Sequence, residues 1–389
     1  MHNFTYHLPT KVIFGQGSVP QIVPELQKAG INNILLLTGG QSVFSSGLYD
    51  TLIALFQDAG IACETVRGVQ PNPRLTKVRE AVAVAQKAQV QAIVPVGGGS
   101  VFDSAKAIAA SVGSGHDAWD LITRKQSVTA ALPIFGILTL SGTSSEINDA
   151  AVISNEETND KMPILNPLLF PRVSIVDPSL QYTVPLQQVR YGGFDTIVHV
   201  LESYLTANDT NETITEHSES YIRSIMRCLS TLPEKLADYD TRAELTFCAT
   251  YAFSGWCWIG RAKRGDFSTH RIGHAISALY DFPHGVTLGL LLPNWMEYVL
   301  GKGLNRDVFS RFAIKVMRVP KTAADPAQEG IDALRAFIHS LDMPTRLREV
   351  GITAKDIPAI AENAVRTLPF GAVIPMDLEN ITAVLEQSL

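Results

Sequence analysis

The 389-residue sequence predicts an α/β domain with a mostly parallel sheet, followed by an all-helical domain. Three observations carry this expectation. Short apolar runs alternate with amphipathic stretches through the first 185 residues, the pattern of βα units that cover a parallel sheet with helices. After about Pro185 strand-like runs vanish and long helical patterns take over. The length exceeds the usual single-domain size and favours two domains of about 150 to 200 residues. The boundary is therefore placed near residue 185, giving domains 1–185 and 186–389.

Taken in order, Lys11-Val12-Ile13-Phe14-Gly15 reads as a strand ended by glycine, and Val19 to Lys28 as a helix. Asn33 to Thr38 is a second strand closing in Gly39-Gly40, with a helix over Tyr49 to Ala59. Cys63 to Val66 is a third strand, and a Pro71-Asn72-Pro73 loop precedes an alanine-rich helix from Thr76 to Ala88. Ala92 to Val96 runs into Gly97-Gly98-Gly99-Ser100, and Ala105 to Ala110 continues as a helix. Pro133 to Thr139 and Val173 to Asp177 read as later strands, and loops such as Ala207 to Asn211 join the helices that follow.

Composition narrows the function classes. Hydrophobic residues make up 46% and charged ones 18%, as in a compact globular chain without long disordered tails. A net charge of -6 gives no reason to expect nucleic acid as a partner. Cys63, Cys228, Cys248 and Cys257 have no CxxC spacing and read as reduced, mostly packed thiols. The start lacks a basic and an apolar signal region, and no apolar run reaches the ~18 residues needed to cross a bilayer. A cytoplasmic protein with no membrane partner is expected.

Two places suggest chemistry. Gly97-Gly98-Gly99-Ser100 stands between a strand and a helix, where glycines let backbone N–H groups approach a phosphate and the helix N-terminus adds a favourable dipole. Its spacing is not that of GxGxxG, and taken alone it reads more readily as a tight turn with Ser100 as N-cap than as an anion site. Thr139 to Glu146 brings hydroxyls after a strand, suited to a ribose, a diphosphate or a helix cap. The second place is sharper. His270 and His274 form an i,i+4 pair, of which nine randomly placed histidines give only about 0.2. Asp195 and His199 form another such pair in an apolar helical run, on one helix face. His270 and His274 are either two ligands or one ligand and one group facing the reacting centre. His284 follows Asp281-Phe282-Pro283 and precedes Gly285, which break a helix and let it turn back toward an ion. Three imidazoles and a carboxylate suit Fe²⁺, Zn²⁺, Ni²⁺ or Co²⁺ and poorly suit Ca²⁺ or Mg²⁺.

Together, Gly-Gly-Gly-Ser-x-x-Asp at 97–103, Gly-x-x-Ser-Glu at 142–146, Gly-x-Asp-x-x-x-His at 193–199, His270, His274 and Pro283-His284-Gly285 resemble the iron-containing (group III) alcohol dehydrogenases. The resemblance covers essentially the whole chain. Pro9 to Gly15 and Gly39-Gly40-Gln41-Ser42 look closest to the branch of NADPH-dependent aldehyde reductases and butanol dehydrogenases. It implies a Rossmann-like N-terminal domain and a helical C-terminal domain in a dehydroquinate synthase-like architecture. By position it implies Asp195, His199, His270 and His284 as metal ligands, with Fe²⁺ or Zn²⁺ bound. His274 matches a histidine that is no ligand but lies beside nicotinamide and substrate, which decides between the two readings of the pair. Cofactor contacts fall on Gly97, Gly98, Gly99, Ser100, Asp103, Thr139, Ser141, Thr143 and Lys161, with Asn72 nearby. A homodimer is implied as well.

Two departures bear on the cofactor. NAD-preferring members often carry an aspartate where this chain has Gly39; Gly39, Gly40 and the Ser42 hydroxyl leave room for a 2′-phosphate, so NADP is expected and NAD is the alternative. The family's threonine-threonine-alanine-glycine-threonine is here Thr139-Leu140-Ser141-Gly142-Thr143, which moves a hydroxyl from the second position to the third. The expected reaction is hydride transfer between NADPH and a small aldehyde or alcohol whose oxygen the metal polarises, with His274 relaying a proton. An NAD-dependent polyol dehydrogenase is the nearest alternative. A non-redox metal-dependent cyclase or hydrolase is more distant; the cyclase needs basic residues for a phosphate and a carboxylate, such as Arg261, Lys263, Arg264 and Arg271.

Overall fold

The computed structural model describes residues 1–206, 211–366 and 369–389, so of the loop expected over Ala207 to Asn211 only Asn211 lies among the described residues. Two compact units divide the chain. One is His7–Val184 with Leu236–Thr250; the other is Met1–Tyr6, Pro185–Lys235 and Tyr251–Leu389. One boundary falls at Pro185. The exchange of the first six residues and of 236–250 departs from a simple 1–185 and 186–389 division. Neither segment has a local pattern that marks it, because what a segment packs on decides its unit.

In the sheet unit, β1 (Lys11–Phe14), β2 (Asn33–Thr38), β3 (Ala62–Val66), β4 (Ala92–Gly97), β5 (Phe135–Leu138) and β8 (Val173–Val176) form a six-stranded sheet in the order β1-β8-β5-β4-β2-β3. Every pairing is parallel. The unbroken apolar run of β2 follows from burial on both faces: Leu35 and Leu37 join one core, with Val78 and Ala105, while Ile34 and Leu36 join the other, with Leu26, Leu52 and Phe56. The helices α1 (Ile22–Lys28), α2 (Ser42–Ser45), α3 (Leu48–Asp58), α4 (Leu75–Ala88), α5 (Gly99–Ser114) and α6 (Ala118–Ile122) lie between strands. The helix expected from Val19 begins as a 3₁₀ turn over Val19–Gln21, and α1 starts at Ile22, so that Pro24 lies in its first turn, where a missing N–H costs no intrahelical bond. A feature outside the sequence reading is an antiparallel hairpin of β6 (Ala150–Asn155) and β7 (Asp160–Leu165). Pro163 inside β7 argues against a strand, and Asn159, at φ 54, is a sign of the turn that only the backbone reveals.

The topology itself nominates a binding crevice. From β2 the chain moves outward to β3, whereas from β4 it moves the other way to β5, so the direction of winding reverses between β2 and β4. Ligands of open parallel sheets bind beyond the carboxyl ends of strands at such a reversal. Thr38 pairs with Val96 there, which sets Gly39-Gly40 beside Gly97-Gly98.

The helical unit contains α7 (Leu186–Tyr204) and α8 (Glu212–Thr231), then, after α9 (Tyr239–Ala252), whose greater part belongs with the sheet, α10 (Ser268–Tyr280) and α11 (His284–Gly301). It continues with α12 (Arg306–Lys315), α13 (Pro326–Ser340), α14 (Ile357–Val365) and α15 (Leu378–Gln387). Asp325 and Asp377 cap α13 and α15 by accepting the Gln328 and Asn380 N–H groups. From Gly193 to Tyr204, α7 is buried on all sides, so its apolar residues pack as core while Asp195, His199 and Glu202 form a buried polar face. It packs against α8 and α11, and α10 packs against α11. A Cβ at Gly285 would lie 2.4 Å from the Tyr191 carbonyl oxygen, so only glycine lets the first turn of α11 meet α7. Among the described residues no helix is long and apolar enough to cross a membrane.

Candidate functional site

The helical unit gathers the metal-competent side chains. Asp195, His199 and Glu202 fall at i, i+4 and i+7 on one face of α7. His270 stands in the first turn of α10, and His274 one turn later. Tyr280 ends α10, Asp281 turns the chain at φ 57, and His284 opens α11 after the extended Pro283, the reversal expected from proline and glycine. Asp195 Oδ1 is the common point, 3.6 Å from His199 Nε2, 3.6 Å from His270 Nε2 and 3.9 Å from His284 Nε2. The tightest group is Asp195, His199 and His270, all buried, with ligand atoms within 4.8 Å of one another. His274 sits outside that group, its ring 5.1 Å from that of His284.

These residues fit a cation. Asp195 Oδ1 and His270 Nε2 are buried with no hydrogen-bond partner, a costly state for polar atoms that a metal would relieve. A tetrahedral ion with bonds of about 2.1 Å holds its ligand atoms about 3.4 Å apart, close to the separations from Asp195. Burial works against charge on His270, yet the Asp195 and Glu202 carboxylates outweigh it and hold its pKa up at about 9, so the cluster favours positive charge.

Glu202 was not foreseen, although its place three residues after His199 on the same face was a readable signal. Its Oε1 lies 2.7 Å from His270 Nδ1 and accepts the Thr269 hydroxyl at 2.9 Å. Its Oε2 accepts the N–H of Phe267, the residue before α10, held at φ 59. One buried carboxylate thus caps α10 and holds a proton on His270 Nδ1, so that a cation displacing the Nε2 proton would meet the Nε2 lone pair. Three of the four basic residues named above are engaged by protein groups. Arg261 donates to the Cys257 carbonyl and the Thr215 hydroxyl, Lys263 to the Ala372 carbonyl, and Arg264 lies 5.0 Å over the Trp258 ring. That weakens a cyclase that must grip a phosphate.

The sheet unit gathers the other expected residues at its winding reversal. Gly97 ends β4, Gly98 is the extended N-cap of α5, and Gly99 and Ser100 form its first turn. A Cβ at Gly99 would meet Thr143 Oγ1 at 2.3 Å, so the glycine turn and the hydroxyl loop are packed face to face. The N–H groups at the start of this 16-residue helix suit a diphosphate, and beyond β2 the open position is Gly40, where a built Cβ meets nothing within 4 Å, whereas one on Gly39 would touch Val101 and the Val69 carbonyl at 3.5 and 3.6 Å. The hairpin brings Lys161 to the Asn72 loop, where Nζ donates to Asn72 Oδ1 at 2.7 Å. Two expected contacts are engaged internally. Asp103 accepts the Ser145 hydroxyl at 2.6 Å and the Val152 N–H at 2.9 Å, and Ser141 shares its hydroxyl with the Gln181 amide at 2.8 Å. Lys106, buried, donates to Ser145, Asn148 and the Ala150 carbonyl, bracing the same loop. Burial lowers its pKa to about 8.

Glu146, in the Ser-Glu pair of the motif, is buried with Oε1 unpartnered, and burial pushes its pKa up to about 7 from 4.5. The folded chain therefore holds a proton that the unfolded chain releases between those values. This contribution to stability is full below pH 4.5 and is lost as pH rises through 7, up to about 3 kcal/mol. Glu146→Gln should gain stability relative to the parent between pH 5 and 8; parallel unfolding midpoints across that range would contradict it.

A parallel sheet with a glycine cradle at its winding reversal, and a helical unit with a carboxylate and imidazoles around one point, define the class of metal- and dinucleotide-dependent oxidoreductases. Comparison with known proteins makes this particular. The iron-containing alcohol dehydrogenase family matches residues 9–178, and the C-terminal family of Fe-containing alcohol dehydrogenases matches residues 189–389. The probable NADH-dependent butanol dehydrogenase 1 of Bacillus subtilis is 39% identical over 392 residues, covering 100% of both chains. The NADPH-dependent aldehyde reductase YqhD of Escherichia coli is 30% identical, covering 92% of both. The crystal structure of NADH-dependent butanol dehydrogenase A from Thermotoga maritima superposes with a TM-score of 0.96 at 40% identity, covering 100% of this chain and 99% of the other. The chain belongs to the iron-containing alcohol dehydrogenase family. It is an oxidoreductase that works with a nicotinamide dinucleotide and a divalent metal on a small alcohol or aldehyde.

Proposed function

We propose that this dehydrogenase reduces small aldehydes with NADPH, using Asp195, His199, His270 and His284 to hold the metal. The observation that carries the reading is the convergence of three Nε2 atoms on the buried, unpartnered Asp195 Oδ1. When bound, the cation polarises the carbonyl oxygen and the dinucleotide supplies the hydride. Asp195 contributes the one anionic ligand, and Glu202 keeps a proton on His270 Nδ1 so that Nε2 stays available. His274 relays a proton between the product oxygen and water through its ring nitrogens. Backbone N–H groups of Gly99 and Ser100 bind the diphosphate, and Gly97, Gly98, Thr139, Thr143, Lys161 and Asn72 complete the nucleotide contacts. Asp103 and Ser141 act by positioning the 139–145 loop, since their polar atoms already hold it.

Gly39, Gly40 and Ser42 support the choice of NADP. The NADH-dependent name of the B. subtilis relative favours NAD(H) as the second reading. A cytoplasmic homodimer belongs to the same proposal and is carried by the family resemblance; a monomer in light scattering would remove its second half. The decisive measurement is elemental analysis of the purified protein, followed by NADPH and NADH oxidation rates over a panel of aldehydes. About one divalent ion per chain and faster NADPH oxidation are expected. Undiminished turnover in metal-free protein would overturn the metal assignment, and a large NADH preference the NADP choice.

A further inference from the structure

One arginine beside the nucleotide crevice has an unusual setting. Arg67 follows β3 directly, and the next residues tie it to the end of β2: Gly68 N–H donates to the Gly39 carbonyl at 3.0 Å, and Val69 N–H to that of Thr38 at 3.1 Å. The guanidinium lies over two rings at once, 4.4 Å from the Phe44 centroid and 4.7 Å from that of Tyr49. Phe44 belongs to the short helix that Ser42 opens, and the Tyr49 hydroxyl, 3.3 Å from Thr65 Oγ1, ties its ring to β3. Among the described residues no carboxylate or hydrogen-bond acceptor engages this guanidinium.

Stacking on two rings restrains a side chain that would otherwise sample many rotamers, so less entropy is lost when its fork of donors meets an anion. The anion must fit beyond β2, and the space is there. A Cβ built on Gly40 meets nothing within 4 Å, and Gly39 carries no acidic group that would repel a phosphate. A planar fork of N–H donors matches a phosphate monoester better than a pair of ribose hydroxyls.

We propose that Arg67 recognises the 2′-phosphate of NADP(H), with the Ser42 hydroxyl as a second donor, and so sets the dinucleotide preference of this chain. The assignment rests on the dinucleotide reading above. The names of the B. subtilis and T. maritima relatives specify NADH, so the preference of this chain is a property to be measured on it directly. The bland rival is that Arg67 only shields Phe44 and Tyr49, in which case its loss would touch both dinucleotides alike.

Binding can be read without turnover, by titrating the full-length protein with NADPH and NADH and following nucleotide fluorescence. Competition by 2′,5′-ADP against 5′-AMP isolates the 2′-phosphate. Arg67→Ala should weaken NADPH and 2′,5′-ADP by roughly 10- to 100-fold, the worth of one charge-assisted pair, and leave NADH and 5′-AMP within about twofold. Arg67→Glu should widen the gap further. An unchanged NADPH to NADH ratio in both variants, or equal weakening of the two, would overturn the assignment. Failure of the parent protein to bind either dinucleotide would instead overturn the underlying reading, and this assignment with it.

Discussion

His270→Ala should abolish bound metal and turnover together, with activity down by at least about a thousandfold. The residue supplies one of three Nε2 atoms around Asp195 Oδ1, and the ring is buried, so no neighbouring water can readily take its place. Loss of the cation forfeits several kcal/mol of charge stabilisation at the developing oxyanion. The measurement is metal content per chain beside aldehyde reduction in the same preparation. Stoichiometric metal with full activity in the variant would refute the ligand assignment. Nucleotide binding gives the internal control, since the glycine cradle lies in the other unit and should keep its affinity.

Glu202→Gln should weaken metal binding by about 10- to 100-fold although the residue touches no metal. The carboxylate receives the Phe267 N–H and the Thr269 hydroxyl and sits 2.7 Å from His270 Nδ1. An amide keeps one oxygen for these partners and presents an NH₂ group to the rest, so a buried donor loses its acceptor and His270 loses the bias toward its Nδ1–H tautomer. Chelator competition with Zn²⁺ reads the affinity directly. Glu202→Asp, which keeps the charge on a shorter arm, should recover part of it. Equal Zn²⁺ affinity in the parent and Glu202→Gln would reduce Glu202 to a cap for α10.

Much of this is legible in the sequence. The inner strands of the sheet carry their own signal, because a strand buried on both faces is a short continuous apolar run, as Ile34 to Leu37 is, while the edge strands β1 and β3 are partly exposed and read more weakly. The hairpin was not legible, since a proline and two charged residues in β7 disguise it. The metal cluster was half legible. Helical spacing links Asp195 to His199 and His270 to His274, but spacing cannot choose between His270 and His274, nor say that Glu202 serves α10 from α7. The site residues Asp103 and Ser141 show the converse: their types suit a nucleotide, yet their polar atoms are engaged by Ser145, Val152 and Gln181.

By itself the sequence determined what is periodic or local: the apolar strands, the helix faces, the glycine turn after β4 and the proline–histidine–glycine reversal before α11. Only the tertiary structure decided which of those faces meet. It set Gly285 against the Tyr191 carbonyl so that His284 reaches Asp195, laid Arg67 over Phe44 and Tyr49, and assigned 236–250 to the sheet unit. The physical reason is that hydrophobic patterning fixes which side of an element is buried but is blind to its partner, whereas close contact and hydrogen-bond geometry depend on both.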